Sequence, residues 1–186
     1  MEAAIEAYLL QTSFGTISSS HTQDTPKRVV KAFKEYVRGC AMDPVAILEK
    51  TFPLEGTSQM VHVRNIRVMS MCAHHLVPII GKAHFAYIPK DKIVGLSKIP
   101  RMIEVLSRRP QVQENLTEQI VDVFSKVVEP QGCAVHLSCV HLCMLYRGVE
   151  EPYSYTETTA LRGVFNEGSK QEFLMSLNHD GGNLIV

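Results

Sequence analysis

Apolar residues recur at every fourth position through Val29, Phe33 and Val37, the spacing that lays one stripe along a helix. Thr25-Pro26 precedes them, a capping hydroxyl followed by proline at the first helical position, and Gly39 is placed to end the run. Asp43-Pro44 opens a second short helix reaching about Lys50. From 59 to 71 the pattern becomes alternation. Val61 and Val63 share one phase, Ile66 and Val68 the other, and the slip between them predicts a bulged strand. GKAHFAYIP at 81–89 and KIVGL at 92–96 read as two more strands joined by a Pro-Lys-Asp turn. Helical spacing returns at Ile99, Met102, Ile103 and Leu106. A longer stripe runs through Val112, Leu116, Ile120, Phe124 and Val127 and stops near Pro130. Strand-like sequence follows at 133–146 and 155–165, then a short helix over about 169–177. The tail NHDGGNLIV is expected to be loosely ordered.

Strands that are mostly adjacent, rather than alternating with helices, predict an α+β fold: an antiparallel sheet with helices on one face. A sheet of about four strands leaves open edges, and oligomerisation is one way to cover them. Net charge adds an exclusion. The chain balances 19 basic against 19 acidic residues, so it lacks the basic excess of a nucleic-acid partner. It has no apolar run of membrane-spanning length, and MEAAIEAYLLQTSF carries acids where a signal peptide carries bases. Five cysteines without such a signal point to reduced thiols in the cytoplasm.

Those cysteines bring in the chemistry. Cys72 and His75, in CAHH just past the bulged strand, can reach one ion across a tight turn, and Cys143 in HLCM offers a third soft ligand. Thiolate with imidazole favours zinc. Three protein ligands leave one position for water, as catalytic sites do, and no second CxxC closes the set. His74 and His141 each neighbour a ligand and suit proton transfer. A lone CxxH also fits plain core cysteines, and His62, His84 and His136 are read as packed or exposed side chains. Ser97, Lys98 and Arg101 gather at a strand-to-helix junction where an anion is favoured. Arg147 and Arg28 add charge, though solvated surface is the ordinary fate of such residues. Gln113 and Glu114 either form a common helix first turn or read a base edge, since a carboxylate accepts from two adjacent N–H donors.

Together the segments resemble GTP cyclohydrolase I, from about Thr25 to about Leu177. The motifs that carry the resemblance are TPKR (25–28), CxHH (72–75), GKAHFAYIP (81–89), GLSKIPR (95–101), RRPQVQENLT (108–117), HLCM (141–144) and RGV (147–149). The resemblance implies a catalytic domain at 25–177 between an N-terminal segment (1–24) and a C-terminal tail (178–186). It implies a tunnelling fold whose sheets join into a barrel, typically in a homodecamer with active sites between subunits. It also implies hydrolysis of GTP to formate and 7,8-dihydroneopterin triphosphate, with zinc-activated water attacking purine C8. By the same resemblance Cys72, His75 and Cys143 hold zinc. His141 protonates the ring nitrogen, His74 assists, and Gln113 and Glu114 hold the guanine. Ser97 serves the later rearrangement, and Lys98, Arg101, Arg147 and Arg28 hold the triphosphate.

Three positions depart from the family pattern. Ala73 replaces the glutamate of Cys-Glu-His-His, Val140 a usually polar residue, and Tyr146 a usually aliphatic one. The loss of a carboxylate beside the ligands keeps an alternative open: a relative that binds a purine or pterin without turnover, or that acts on another substrate.

Overall fold

The computed structural model describes residues 1–11, 19–166 and 169–177; the expected loose tail at 178–186 lies outside them. The N-terminal region forms α1 (Glu2–Gln11), α2 (Ser19–Thr22) and α3 (Thr25–Tyr36). Helix α3 starts at Thr25 itself. The flanking residue is therefore Asp24, whose side chain makes no capping bond, and Pro26 falls in the first turn. The helix ends at Tyr36, before Gly39, which sits in a 3-10 turn over Arg38–Ala41. Gly39 is small for a different reason than the one expected. A Cβ there would lie 2.1 Å from the Val105 carbonyl oxygen. Its N–H bonds the Arg108 carbonyl at 2.9 Å, and Arg109 Nε bonds its own carbonyl at 3.0 Å. Helix α4 (Pro44–Leu48) is capped as expected, with the Asp43 carboxylate accepting from Val45 N.

The main sheet contains β2 (Val61–Cys72), β3 (Pro78–Ile88), β5 (Pro110–Gln111), β6 (Gly132–His141) and β7 (Thr156–Gly163), in the order β5-β2-β3-β6-β7. All neighbours are antiparallel except the two-residue β5, which runs parallel to the end of β2. The expected bulge lies between Val63 and Ile66, with Asn65 at φ 55°. A separate two-stranded ribbon pairs β1 (Thr51–Pro53) with β4 (Lys92–Val94). The segment after the Pro-Lys-Asp turn thus leaves the sheet instead of folding back on β3. The strand expected at 133–146 stops at His141, and Leu142–Leu145 form one helical turn, α7.

Helices α5 (Lys98–Ser107) and α6 (Gln113–Val128) cover one face. Ile99, Met102 and Ile103 from α5, and Leu116, Ile120 and Phe124 from α6, are fully buried against Val68, Phe85, Val135 and Leu137. The Phe124 ring meets Phe85 at 4.7 Å and Tyr87 at 5.0 Å, in tilted and edge geometries that aromatic pairs prefer. Alternation turns Ala86 and Ala134 to the opposite face, where they pack with Phe165 and with Phe173 of α8 (Ser169–Leu177). The one-sided helix layer expected from the sequence therefore holds for α5 and α6, while α8 covers part of the other side.

Replacing Gly39 with alanine drives a methyl group into the Val105 carbonyl. The expected loss is about 1–3 kcal/mol, the usual range for overpacking. Urea unfolding measures it, and a wild-type midpoint would mean that the 3-10 turn shifts away freely.

Candidate active site

One end of the sheet collects most of the reactive side chains. Strand β2 ends at Cys72, β6 ends at His141, β7 begins at Thr156, and β5 leads through Val112 into α6. The link from β2 to β3 is short and tightly bonded. Cys72 N–H donates to the Val77 carbonyl at 2.8 Å, Leu76 N–H to the Cys72 carbonyl at 2.8 Å, and Ala73 N–H to the Gln111 carbonyl at 3.0 Å. Leu76 takes φ 52°, a left-handed conformation that a non-glycine residue adopts only when its surroundings enforce it. This turn swings His75 back over Cys72.

The ring Nδ1 of His75 lies 3.6 Å from Cys72 Sγ, and that of His74 lies 3.9 Å from it. A tetrahedral zinc with its usual bond lengths separates a sulfur and a nitrogen ligand by about 3.5 Å. Cys72, His74 and His75 have their ligand atoms mutually within 4.8 Å. Cys143, on α7, stands outside that group. Burial and the neighbouring Cys72 thiol raise its pKa. Two thiols and an imidazole suit a soft divalent cation, zinc above all. Arg147 Nη1 lies 3.2 Å from His75 Nε2. A guanidinium only donates, so this nitrogen accepts and the ring hydrogen sits on Nδ1, towards Cys72. Ligation at either nitrogen of His75 displaces this arrangement and releases Arg147.

His141 Nε2 lies 2.7 Å from Gln113 Oε1. Burial lowers the His141 pKa, and the nearby Glu114 carboxylate pulls it back up. Gln113 is 1% exposed, whereas Glu114 points to solvent. The Gln113 amide nitrogen bonds the Thr156 carbonyl at 2.9 Å and Thr158 Oγ1 at 3.1 Å. The Gln113 amide is thus engaged inside the protein, while Glu114 is the member of the pair that faces outward.

The anion-binding candidates stand apart. Ser97 flanks the start of α5, Lys98 begins it, and Arg101 lies one turn on. Arg28, on α3, pairs with Asp24 at 3.8 Å. Among the described residues, none of these four bonds to the Cys72–His75 turn or to the Gln113–His141 pair. Arg101 instead lines a cleft of about 400 Å³ with Arg64, Arg67, Arg108 and Glu104. Sequence reasoning missed the arginines of β2, whose sole signal was their place in a strand with one polar face. It also missed Thr158, which no motif marks.

A Cys–His cluster beside a hydrogen-bonded histidine and an exposed carboxylate, all at one end of an α+β sheet, is a set of groups suited to a catalytic site. The sequence profile described as GTP cyclohydrolase I matches residues 1–178. A relative from Chlorobaculum tepidum named GTP cyclohydrolase 1 is 47% identical over 158 residues, covering 83% of this chain and 70% of that protein. One from Campylobacter curvus with the same name is 46% identical over 156 residues, covering 83% and 82%. Among solved structures, the apo form of an archaeosine synthase QueF-Like superposes with a TM-score of 0.49 at 16% identity, over 58% of this chain and 97% of that one. The chain belongs to the GTP cyclohydrolase I family, and its activity is that of a GTP cyclohydrolase. The relatives' names give no support to the reading as a non-catalytic binder.

The remaining thiols differ sharply in reactivity. Burial pushes the Cys133 pKa up to about 11 and that of Cys139 up to about 12, while Cys40 is exposed. At pH 8 the two buried thiols are ionised in roughly one molecule in a thousand or fewer. Iodoacetamide followed by peptide mass mapping should find Cys40 modified and Cys133 and Cys139 untouched. Equal labelling of all three would mean that β6 opens readily.

Proposed function

We propose that the chain hydrolyses GTP to formate and 7,8-dihydroneopterin triphosphate, with Cys72, His75 and Cys143 holding a zinc ion. The observation that carries this reading is the 3.6 Å separation of Cys72 Sγ and His75 Nδ1, with the Cys72 thiol acting on that of Cys143 and His141 two residues before Cys143. Zinc bound there supplies water activated near neutral pH for attack on purine C8. His74, 3.9 Å from Cys72 Sγ and exposed, takes or returns protons beside the ligands. His141 protonates the ring nitrogen as the imidazole ring opens. Burial lowers its pKa and the Glu114 carboxylate opposes that shift. The Glu114 carboxylate accepts from the two neighbouring N–H groups of guanine.

The triphosphate needs more cations than the Arg147 that one chain brings to its own Cys–His centre. Lys98 and Arg101 on α5, Arg28 on α3, and Arg147 released from His75 fill this role, and Ser97 serves the rearrangement of the ribose. The separation of Lys98, Arg101 and Arg28 from the centre supports a site completed by a neighbouring subunit. Most of β2 and all of β7 form the outer edges of the sheet. Such edges suit pairing between copies into the barrel of a tunnelling fold, in a homodecamer. The five cysteines form no disulfide, which fits a reducing cytoplasm. Among the described residues no helix is long and apolar enough to cross a membrane, and the balanced charge lacks the basic excess usual for a nucleic-acid partner.

Purified zinc-loaded protein incubated with GTP should release formate and the pterin in equal amounts, and a chelator should abolish both. Cys143→Ala should lose zinc, measured by atomic emission, together with turnover; retained zinc and rate would refute its ligand role. Glu114→Ala should weaken GTP binding by about 1.5–3 kcal/mol, the worth of a charged hydrogen bond. Unchanged affinity in calorimetry would place the guanine elsewhere.

A further inference from the structure

Every hydrogen in the network behind His141 has a fixed direction, and the argument begins at its far end. Thr117 Oγ1 donates to the Gln113 backbone carbonyl, one helical turn earlier, at 2.8 Å. Its single hydrogen is then used. The 2.6 Å contact between Thr117 Oγ1 and Thr158 Oγ1 must therefore carry the Thr158 hydrogen. With its hydrogen committed, Thr158 Oγ1 can only accept from Gln113 Nε2, at 3.1 Å. The second amide hydrogen goes to the Thr156 carbonyl at 2.9 Å, an obligate acceptor. The Gln113 amide cannot be flipped, because its oxygen would then face that carbonyl. Oε1 is thus held towards His141, 2.7 Å away, and it can only accept. Nε2 of His141 must carry the hydrogen.

From this network we infer that Gln113 is a positioning residue, held by Thr158 and Thr117, that commits Nε2–H of His141 and leaves Nδ1 as the one nitrogen free to exchange a proton. As an acid, His141 breaks its Nδ1–H bond, the proton forms an N–H bond on the substrate ring nitrogen, and a neutral Nε2–H imidazole remains. The catalytic consequence rests on His141 being the acid of the proposed reaction; the tautomer does not. This role also accounts for a buried glutamine beside an exposed glutamate at the start of α6. The pair divides the work: Glu114 faces the substrate, and Gln113 faces the acid.

The test uses the assembled, zinc-loaded protein labelled with nitrogen-15 at histidine. The His141 resonances are assigned by their absence in His141→Asn. Wild-type protein should show a slowly exchanging ring hydrogen coupled to Nε2. A hydrogen on Nδ1 instead, or no sheltered ring hydrogen at all, overturns the inference before any variant is needed. Gln113→Leu should lose that sheltered signal, and Thr158→Ser, which keeps the hydroxyl, should retain it. In Gln113→Leu, kcat should fall about 100-fold, the low end of what a placed acid contributes, while GTP affinity stays within about twofold. A persisting signal with tenfold weaker GTP binding would instead make Gln113 a base-reading residue. Wild-type turnover in His141→Asn would refute His141 as the acid, while the nitrogen spectrum would still decide the tautomer.

Discussion

The five-residue step from Cys72 to Val77 is the constraint on which the site depends. Its bonds from Cys72 N–H to the Val77 carbonyl and from Leu76 N–H to the Cys72 carbonyl close the turn at both ends. Leu76 absorbs the strain in a left-handed conformation. A wider link would let β2 and β3 splay and would carry His75 away from Cys72. The turn is also tied sideways, through Ala73 N–H, to the carbonyl of Gln111. Two residues further on, Gln113 starts α6 and meets His141. One short run of backbone hydrogen bonds therefore sets the Cys72–His75 geometry and links it to the Gln113–His141 pair. Packing of Phe124 against Phe85 and Tyr87 anchors α6 from the other end.

Much of the fold was legible because periodicity reports burial directly. The bulge in β2 was readable from a change of phase between Val63 and Ile66. Helices α5 and α6 were readable from their apolar stripes. Features that depend on pairing partners far along the chain were not. Nothing local says that Lys92–Val94 should leave the sheet to pair with Thr51–Pro53, or that Pro110-Gln111 should run beside β2. Gly39 looked like a helix stop, but its size is set by Val105 and Arg108, more than sixty residues away.

The site shows the same division. Cys72 and His75 announce themselves by spacing, and the turn places them as spacing suggests. Gln113 and Glu114 are adjacent and polar, and sequence alone pairs them in one task. About 100° separates successive residues around a helix, and that rotation buries one and exposes the other. Thr158 carries no motif, because its importance comes only from standing across from Gln113 and Thr117. The cationic candidates were also found in sequence, but Arg28 on α3 and Lys98 and Arg101 on α5 stand apart, whereas Arg147 lies beside His75. One chain thus gathers Cys72, His75, Gln113 and His141 at one end of its sheet.

Ala73 is the departure that bears most closely on this unit, and its position limits what it can change. Its N–H carries the bond to Gln111, while its methyl group is exposed. Because the backbone group carries the structural duty, the side chain is free to vary without moving Cys72 or His75. A carboxylate at this position would act on the charge around the ligands and on the basicity of the neighbouring imidazoles. Without it the Arg147 guanidinium, 3.2 Å from His75, is a charge in direct contact with that ring. The substitution therefore acts on electrostatics at constant geometry. The hydrogen-bond pattern leaves the fold and the placement of Cys72 and His75 independent of the Ala73 side chain, so the substitution acts through charge rather than shape.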